Sequence, residues 1–337
     1  MADYELFELG DLELQCGKRL PQAKIAYKTY GQLAADRSNL ILYPTSYGAQ
    51  HGDTEWLIGP GRVLDPGKWF IVIANMFTNG LSTSPSNCVH ECRSGHWPAM
   101  THVDNVRAQR RLLREVFAVE RIALVYGWSM GAQQALHWGA LYPHEVARIC
   151  AVCGSAKTSP HNLVFLEGVK AALTCDAAWR DGWFQARPER GLRAMGRVYA
   201  GWALSQAFYR ERLYERFGVS SIEDYMVRFW EANFLRRDAN DLLAQLEIWA
   251  RSDISANEIY RNDLRAALGA IEARSIIMPG LSDLYFTAED SRREWAMMPN
   301  AEFRPIESHF GHRAGNPTHC KEDEAVLAAA VRDLLSD

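Results

Sequence analysis

Arg121-Ile-Ala-Leu-Val-Tyr126, followed by Gly127-Trp-Ser-Met-Gly131 and Gln133-Gln-Ala-Leu-His-Trp138, decides how the chain is read. The first segment is an apolar run of strand length, the last is a helical run, and a G-x-S-x-G stands between them. In a strand-turn-helix elbow the serine sits in a strained backbone, and the flanking positions must be glycine because a Cβ there would strike the neighbouring turn. Ser129 is therefore expected at the carboxyl edge of a sheet, with the Met130 N–H and the helix dipole aimed at a developing oxyanion. Its expected role is nucleophile.

Working outward, Asn39 to Tyr43 and Trp69 to Ala74 are further near-continuous apolar runs bounded by turn residues, as for strands buried on both faces. Asn105 to Phe117 reads as an amphipathic helix between the second of these and the elbow strand. This βαβ pattern predicts an α/β fold with a mostly parallel sheet flanked by helices. From about Ser155 to Ala270 the strand signal disappears. Asn162 to Leu173, Gly191 to Phe208, Ile222 to Phe234 and Asp241 to Trp249 read as helices, with Trp179, Trp183, Trp202, Trp230 and Trp249 among them. The simplest account is a helical insertion over 155–270, with 1–154 and 271–337 forming the sheet core. Strands resume at Arg274 to Met278 and Ala301 to Pro305, and Glu322 to Leu335 closes as a helix.

A serine hydroxyl needs a base, and the base needs an orienting acid. Asp283 stands just past the run Ile276 to Met278, with Asp290 as its nearest competitor. His309 and His312 both stand just past the next strand, and Gly311 favours His312 by allowing a tight loop. A zinc reading of the His309-x-x-His312 pair lacks a third ligand at metal spacing, so no metal is expected. The second oxyanion donor is expected from the loop Tyr43-Pro-Thr-Ser-Tyr-Gly48, from the N–H of Ser46 beside that of Met130.

With 37 Lys+Arg against 41 Asp+Glu, the 337 residues carry a net charge of −4 and lack the basic footprint that nucleic acid or an anionic membrane attracts. The acidic N-terminus does not read as a signal peptide, and the apolar runs are far too short to span a bilayer, so a cytoplasmic protein is expected. Seven cysteines are an odd number, and Cys88/Cys92 and Cys150/Cys153 read as buried free thiols. The glycines fit neither a dinucleotide fingerprint nor a P-loop, so no bound cofactor is expected.

Taken together, these motifs resemble the homoserine O-acetyltransferase family of the α/β-hydrolase fold. Leu20 to Leu33, Ile58-Gly-Pro-Gly61, the elbow with Gln134 to Trp138, Ser282-Asp283 and Gly311-His312 carry the resemblance; Ile222 to Tyr225 and Arg237 to Asn240 are similar to stretches of its lid. The resemblance implies a triad of Ser129, Asp283 and His312 with the amides of Ser46 and Met130 as oxyanion hole. It also implies acyl-CoA as a co-substrate in a ping-pong route, and a homodimer through the lid helices.

The departures fall on the acceptor side. The family places an Asp after its histidine to meet the homoserine ammonium, where this chain has Arg313. Arg197 corresponds to the lid arginine that meets the substrate carboxylate, but Leu204 replaces the tyrosine seven residues on. Homoserine is thereby disfavoured. Tyr47, Trp128, Arg197, Trp202 and Arg313 are the candidate substrate contacts. Water is the economical acceptor, which predicts hydrolysis of an ester or thioester. The alternative is acyl transfer to a hydroxyl, and a binding protein without turnover is a third reading that the three triad residues argue against.

Overall fold

Each short apolar run sends alternate side chains to two different cores. Leu40 and Leu42 of β3 (Leu40–Pro44), Phe70 and Val72 of β4 (Phe70–Ala74) and Val125 of β5 (Leu124–Trp128) enter one cluster, while Ile41, Tyr43, Ile71, Ile73, Leu124 and Tyr126 enter the other. Ile149 and Ala151 of β6 (Arg148–Val152) join the first cluster, Cys150 and Val152 the second. A sheet covered on both faces is the arrangement that near-continuous apolar strands require.

The computed structural model describes residues 2–89 and 92–336. Its main sheet adds β1 (Glu5–Glu13), β2 (Arg19–Tyr30), β9 (Arg274–Met278) and β10 (Ala301–Phe303), in the order β1-β2-β4-β3-β5-β6-β9-β10. The pairs β1–β2 and β2–β4 are antiparallel and the rest are parallel. Helices α1 (His102–Phe117) and α2 (Met130–Leu141) cover the first cluster, and Leu327, Val331 and Leu334 of α11 (Lys321–Leu335) cover the second.

Between β6 and β9 the chain forms α3 (Pro160–Thr174), α4 (Glu189–Ala203), α5 (Gln206–Arg210), α6 (Ile222–Tyr225), α7 (Ala232–Leu235), α8 (Ala239–Ala250) and α9 (Leu264–Gly269), then α10 (Ala288–Trp295) follows β9. Two small strands, β7 (Trp179–Arg180) and β8 (Trp183–Phe184), pair there as a hairpin that the sequence did not signal.

Several boundaries differ from the sequence reading for physical reasons. The elbow strand runs through Gly127 and Trp128, because these pair with Ala151 and Val152, and α2 starts at Met130. The expected helix from Gly191 to Phe208 breaks after Ala203, where the Ser205 hydroxyl caps α5 by accepting from the Phe208 N–H. Ile222 to Phe234 is interrupted at Met226–Glu231 by a wider π-type turn. The acid-rich β1 escaped detection because it is an edge strand with most side chains exposed. Among the described residues no helix is long and apolar enough to cross a membrane.

Candidate active site

The elbow depends on three close approaches. A Cβ on Gly127 would lie 2.2 Å from the Gly131 carbonyl oxygen, one on Gly131 2.7 Å from the Pro44 oxygen, and one on Gly154 2.5 Å from the Ala132 Cβ. Ser129 itself adopts φ 59° and ψ −127°, a strained conformation for an L-residue, and its N–H is tied to the Val152 oxygen at 2.9 Å. Such strain persists only where the surroundings over-determine it, and here β5, β6 and α2 do so.

Asp283 follows β9, where its N–H donates to the Gly280 oxygen at 3.1 Å. Its Oδ1 accepts from the N–H groups of Tyr285 and Phe286, both at 3.1 Å, and its Oδ2 accepts from His312 Nδ1 at 2.7 Å. Both side chains are almost wholly buried, with exposures of 0% for Asp283 and 4% for His312. A carboxylate on Nδ1 leaves Nε2 as the basic nitrogen. The two competitors are engaged elsewhere: His309 pairs with Glu211 at 2.9 Å on the surface, and Asp290 bonds the Thr287 hydroxyl at 2.9 Å in the cap of α10.

The loop after β3 is held from both sides. The Ser46 hydroxyl donates to the Trp128 oxygen at 2.5 Å, which fixes the loop to the elbow. The Gly48 N–H donates to Gln245 Oε1 at 2.6 Å, while Arg237 Nε donates to the Gly48 oxygen at 2.6 Å. Arg237 opens a stretch that resembles the family's lid and Gln245 lies in an expected helix, but nothing in the sequence showed that either reaches this loop, a contact made only by the tertiary fold. Among the described residues, the N–H groups of Ser46, Tyr47 and Met130 have no hydrogen-bond acceptor. The loop and the N-terminus of α2 thus present unspent donors beside Ser129.

An aromatic shell surrounds the histidine. Its ring lies 5.2 Å from that of Trp128, 4.4 Å from that of Tyr285 and 5.4 Å from that of Phe286. Phe165 stacks on Tyr285 and Trp249 on Phe286, while Tyr199 stacks on Tyr47. Tyr285 and Phe286 were foreshadowed by standing next to Asp283; Phe165, Tyr199 and Trp249 come from the helical stretch and were not.

The remaining candidates divide. Trp128 lies against His312 and donates to its carbonyl oxygen at 3.3 Å, and Tyr47 donates to the Leu242 oxygen at 3.2 Å. Arg313 places its guanidinium 5.0 Å from the Phe229 ring and lines a cavity of about 190 Å³ with Tyr47 and Trp128. Trp202 packs on Phe165 and His161. Arg197 goes elsewhere: its Nε bonds Glu231 at 2.6 Å and its two terminal nitrogens bond Glu223 at 3.0 and 2.5 Å, which makes it a tie within the helical stretch.

Two groups of ligand atoms could be mistaken for metal sites. Cys153, Asp283 and His312 offer atoms within 4.8 Å of one another, but burial pushes the Cys153 thiol well above its ordinary value and Asp283 and His312 are bonded together. Around Asp3, His51 and Glu55 the Lys28 ammonium already supplies the positive charge, at 2.7 Å from Asp3 and 2.6 Å from Glu55. Cys16, Cys88, Cys150, Cys153, Cys175 and Cys320 are free thiols; burial raises Cys150 to about 12 and Cys88 to about 11.

Residues 55–314 match the family defined by the alpha/beta hydrolase fold. The chain belongs to that family. This α/β-hydrolase is 36% identical to an ethyl acetate hydrolase of Pseudomonas veronii, over 92% of this chain and 89% of that protein. It is 32% identical to a homoserine O-acetyltransferase of Bradyrhizobium diazoefficiens, over 90% and 84%. Among solved structures, an acetylester hydrolase from Corynebacterium glutamicum superposes with a TM-score of 0.96 at 32% identity, covering 99% of this chain and 96% of that one. The α/β-hydrolase is therefore a serine-type acyl-transfer enzyme, related both to esterases and to acyltransferases.

Proposed function

We propose that this α/β-hydrolase hydrolyses short-chain, acetate-sized esters through an acyl-Ser129 intermediate. His312 Nε2 removes the proton as Ser129 Oγ attacks the ester carbonyl, and Asp283 holds the imidazole tautomer and stabilises the imidazolium. The N–H groups of Met130 and Ser46 receive the oxyanion. Collapse breaks the acyl C–O bond, His312 returns the proton to the leaving alkoxide, and a water activated by the same nitrogen then releases the acid and regenerates Ser129. His312 makes every proton transfer, so the route needs no bound cofactor.

The observation that carries this reading is the buried 2.7 Å contact between Asp283 and His312 at the strand edge that holds Ser129 in its elbow. The aromatic shell supports a small apolar acyl group, since Tyr285 and Phe286 lie against the His312 ring and Trp249 stacks behind Phe286. The similarity to an ethyl acetate hydrolase and an acetylester hydrolase supports the same choice. A second reading, transfer from acyl-CoA to a hydroxyl, is supported by the homoserine O-acetyltransferase relative. We take residues 155–270 as a lid on the core of 1–154 and 271–337, with the exposed Val164 and Ile222 supporting pairing of two copies through it. The free thiols support a cytoplasmic location.

The test is p-nitrophenyl acetate against the butyrate and octanoate esters, with fluorophosphonate labelling read by mass spectrometry. Acetate turnover with an adduct on Ser129 is expected. Release of CoA from acetyl-CoA that depends on an added alcohol would replace hydrolysis by transfer, and no adduct would remove both.

A further inference from the structure

The cavity of about 190 Å³ is bounded by three residues that each adjoin a reacting group in the chain. Trp128 precedes Ser129, Tyr47 follows Ser46 and Arg313 follows His312. The Trp128 ring on its wall lies 5.2 Å from that of His312, which sets the cavity next to the base and makes it a candidate space for the alcohol portion of an ester. At about 30 Å³ per water it has room for roughly six non-hydrogen atoms.

Its charge is unbalanced. The ionised residues on its wall are Asp53, Arg236 and Arg313, and Asp53 is already shared by Arg236 at 2.7 Å and Arg237 at 2.5 Å. Arg313 has only uncharged partners among the described residues: the Phe229 ring, the Asn316 carbonyl oxygen at 3.4 Å and the Thr318 hydroxyl at 3.2 Å. Asn316 lines the same wall at 8% exposure, and its side-chain oxygen has no partner. A guanidinium held partly out of water without a counter-charge is an incomplete ion pair, and its planar fork suits a carboxylate.

We propose that this cavity is a subsite for an anionic leaving group, so that the preferred substrate is the acetate ester of a small hydroxy acid of three or four carbons. The inference rests on the ester-hydrolysis reading. At neutral pH the acyl C–O bond breaks, His312 protonates the hydroxy-acid oxygen, and water supplies the acetate oxygen. The net products are acetate, the free hydroxy carboxylate and one proton.

The test compares 2-acetoxypropionate with its neutral isostere 2-acetoxypropanamide, and p-nitrophenyl acetate serves as the control for chemistry. In the wild type kcat/KM is expected to favour the anion by about tenfold, mainly through KM, and the preference should shrink as NaCl rises. Arg313→Gln should bring the ratio near unity, Arg313→Glu should invert it, and Arg313→Lys should keep part of it. Lactate should inhibit the wild type competitively and the Gln variant weakly. Equal use of anion and amide by a wild type that cleaves p-nitrophenyl acetate would overturn the subsite and leave the esterase reading standing; loss of all ester turnover would overturn both. A ratio unchanged in the folded Glu variant, checked by circular dichroism, would also overturn the subsite.

Discussion

The two edges of the parallel sheet invite comparison, because the larger opening is at the edge without reactive groups. At the amino edge a cavity of about 900 Å³ is walled by Arg37, Arg121, Arg148 and Arg274 with Asp36 and Glu120. At the carboxyl edge the cavity walled by Tyr47, Trp128 and Arg313 is about a fifth of that size, at about 190 Å³. The difference follows from chain direction. Helices that succeed parallel strands begin at the carboxyl edge, so the positive end of α2 and its free N–H groups gather there. Helices end at the other edge, where α1 terminates at Ala118 in the left-handed region and the N–H groups of Ala118 and Val119 take up its last carbonyls. Volume therefore locates a groove, whereas donors, strain and a buried acid–base pair locate chemistry.

The sharpest way to break this contrast is at Asp283. Asp283→Asn keeps the shape but lets the wrong imidazole tautomer form, and kcat for p-nitrophenyl acetate is expected to fall about 10⁴-fold. Full activity would show that the buried pair is only structural. Next in size is Ser46→Pro, which removes one main-chain N–H and is expected to lower kcat about 10²-fold with little change in KM. Gln245→Leu leaves the Gly48 N–H without its acceptor. A roughly tenfold fall in kcat, partly restored in Gln245→Glu, would tie the helical stretch to the oxyanion loop.

Smaller effects concern stability. Asp241 on α8 is buried where it accepts from the Ser86 N–H at 2.9 Å and hydroxyl at 2.6 Å, and burial raises its carboxyl to about 7. A folded pKa above the unfolded one means that the protonated form stabilises. That contribution is present below about pH 4 and is lost as pH rises through 7. Asp241→Asn should therefore raise Tm by about 3 °C at pH 8 and not at pH 4, as read by calorimetry. The smallest expected effect is at the amino edge: Arg148→Gln with Arg274→Gln should leave kcat/KM for both neutral and anionic esters within about twofold.

The parts of the site legible in the sequence are those set by chain adjacency. Ser129 and Asp283 stand one and five residues past a strand end, His312 stands in the loop after β10, and the glycines of the elbow announce a close approach that the backbone requires. The hidden parts depend on which distant surfaces meet. Arg197 reads as a substrate arginine only through the resemblance to the family's lid arginine, yet Glu223 and Glu231 take its fork. Phe165, Tyr199 and Trp249 lie far apart in sequence and converge only because three helices stack over the sheet edge. The tryptophans of the helical insertion were visible in the sequence, but not which rings would face His312.

The order of these pieces along the chain has a consequence for synthesis. Ser129 leaves the ribosome before any of the helices α3 to α9, and Asp283 and His312 follow only after them. At roughly 5–20 residues per second, the 183 residues from Ser129 to His312 keep the proposed nucleophile waiting about 9–37 s for its base. A product truncated anywhere in that helical stretch carries a serine elbow but no imidazole to activate it. The same order makes completion of the chain the event that switches the proposed chemistry on.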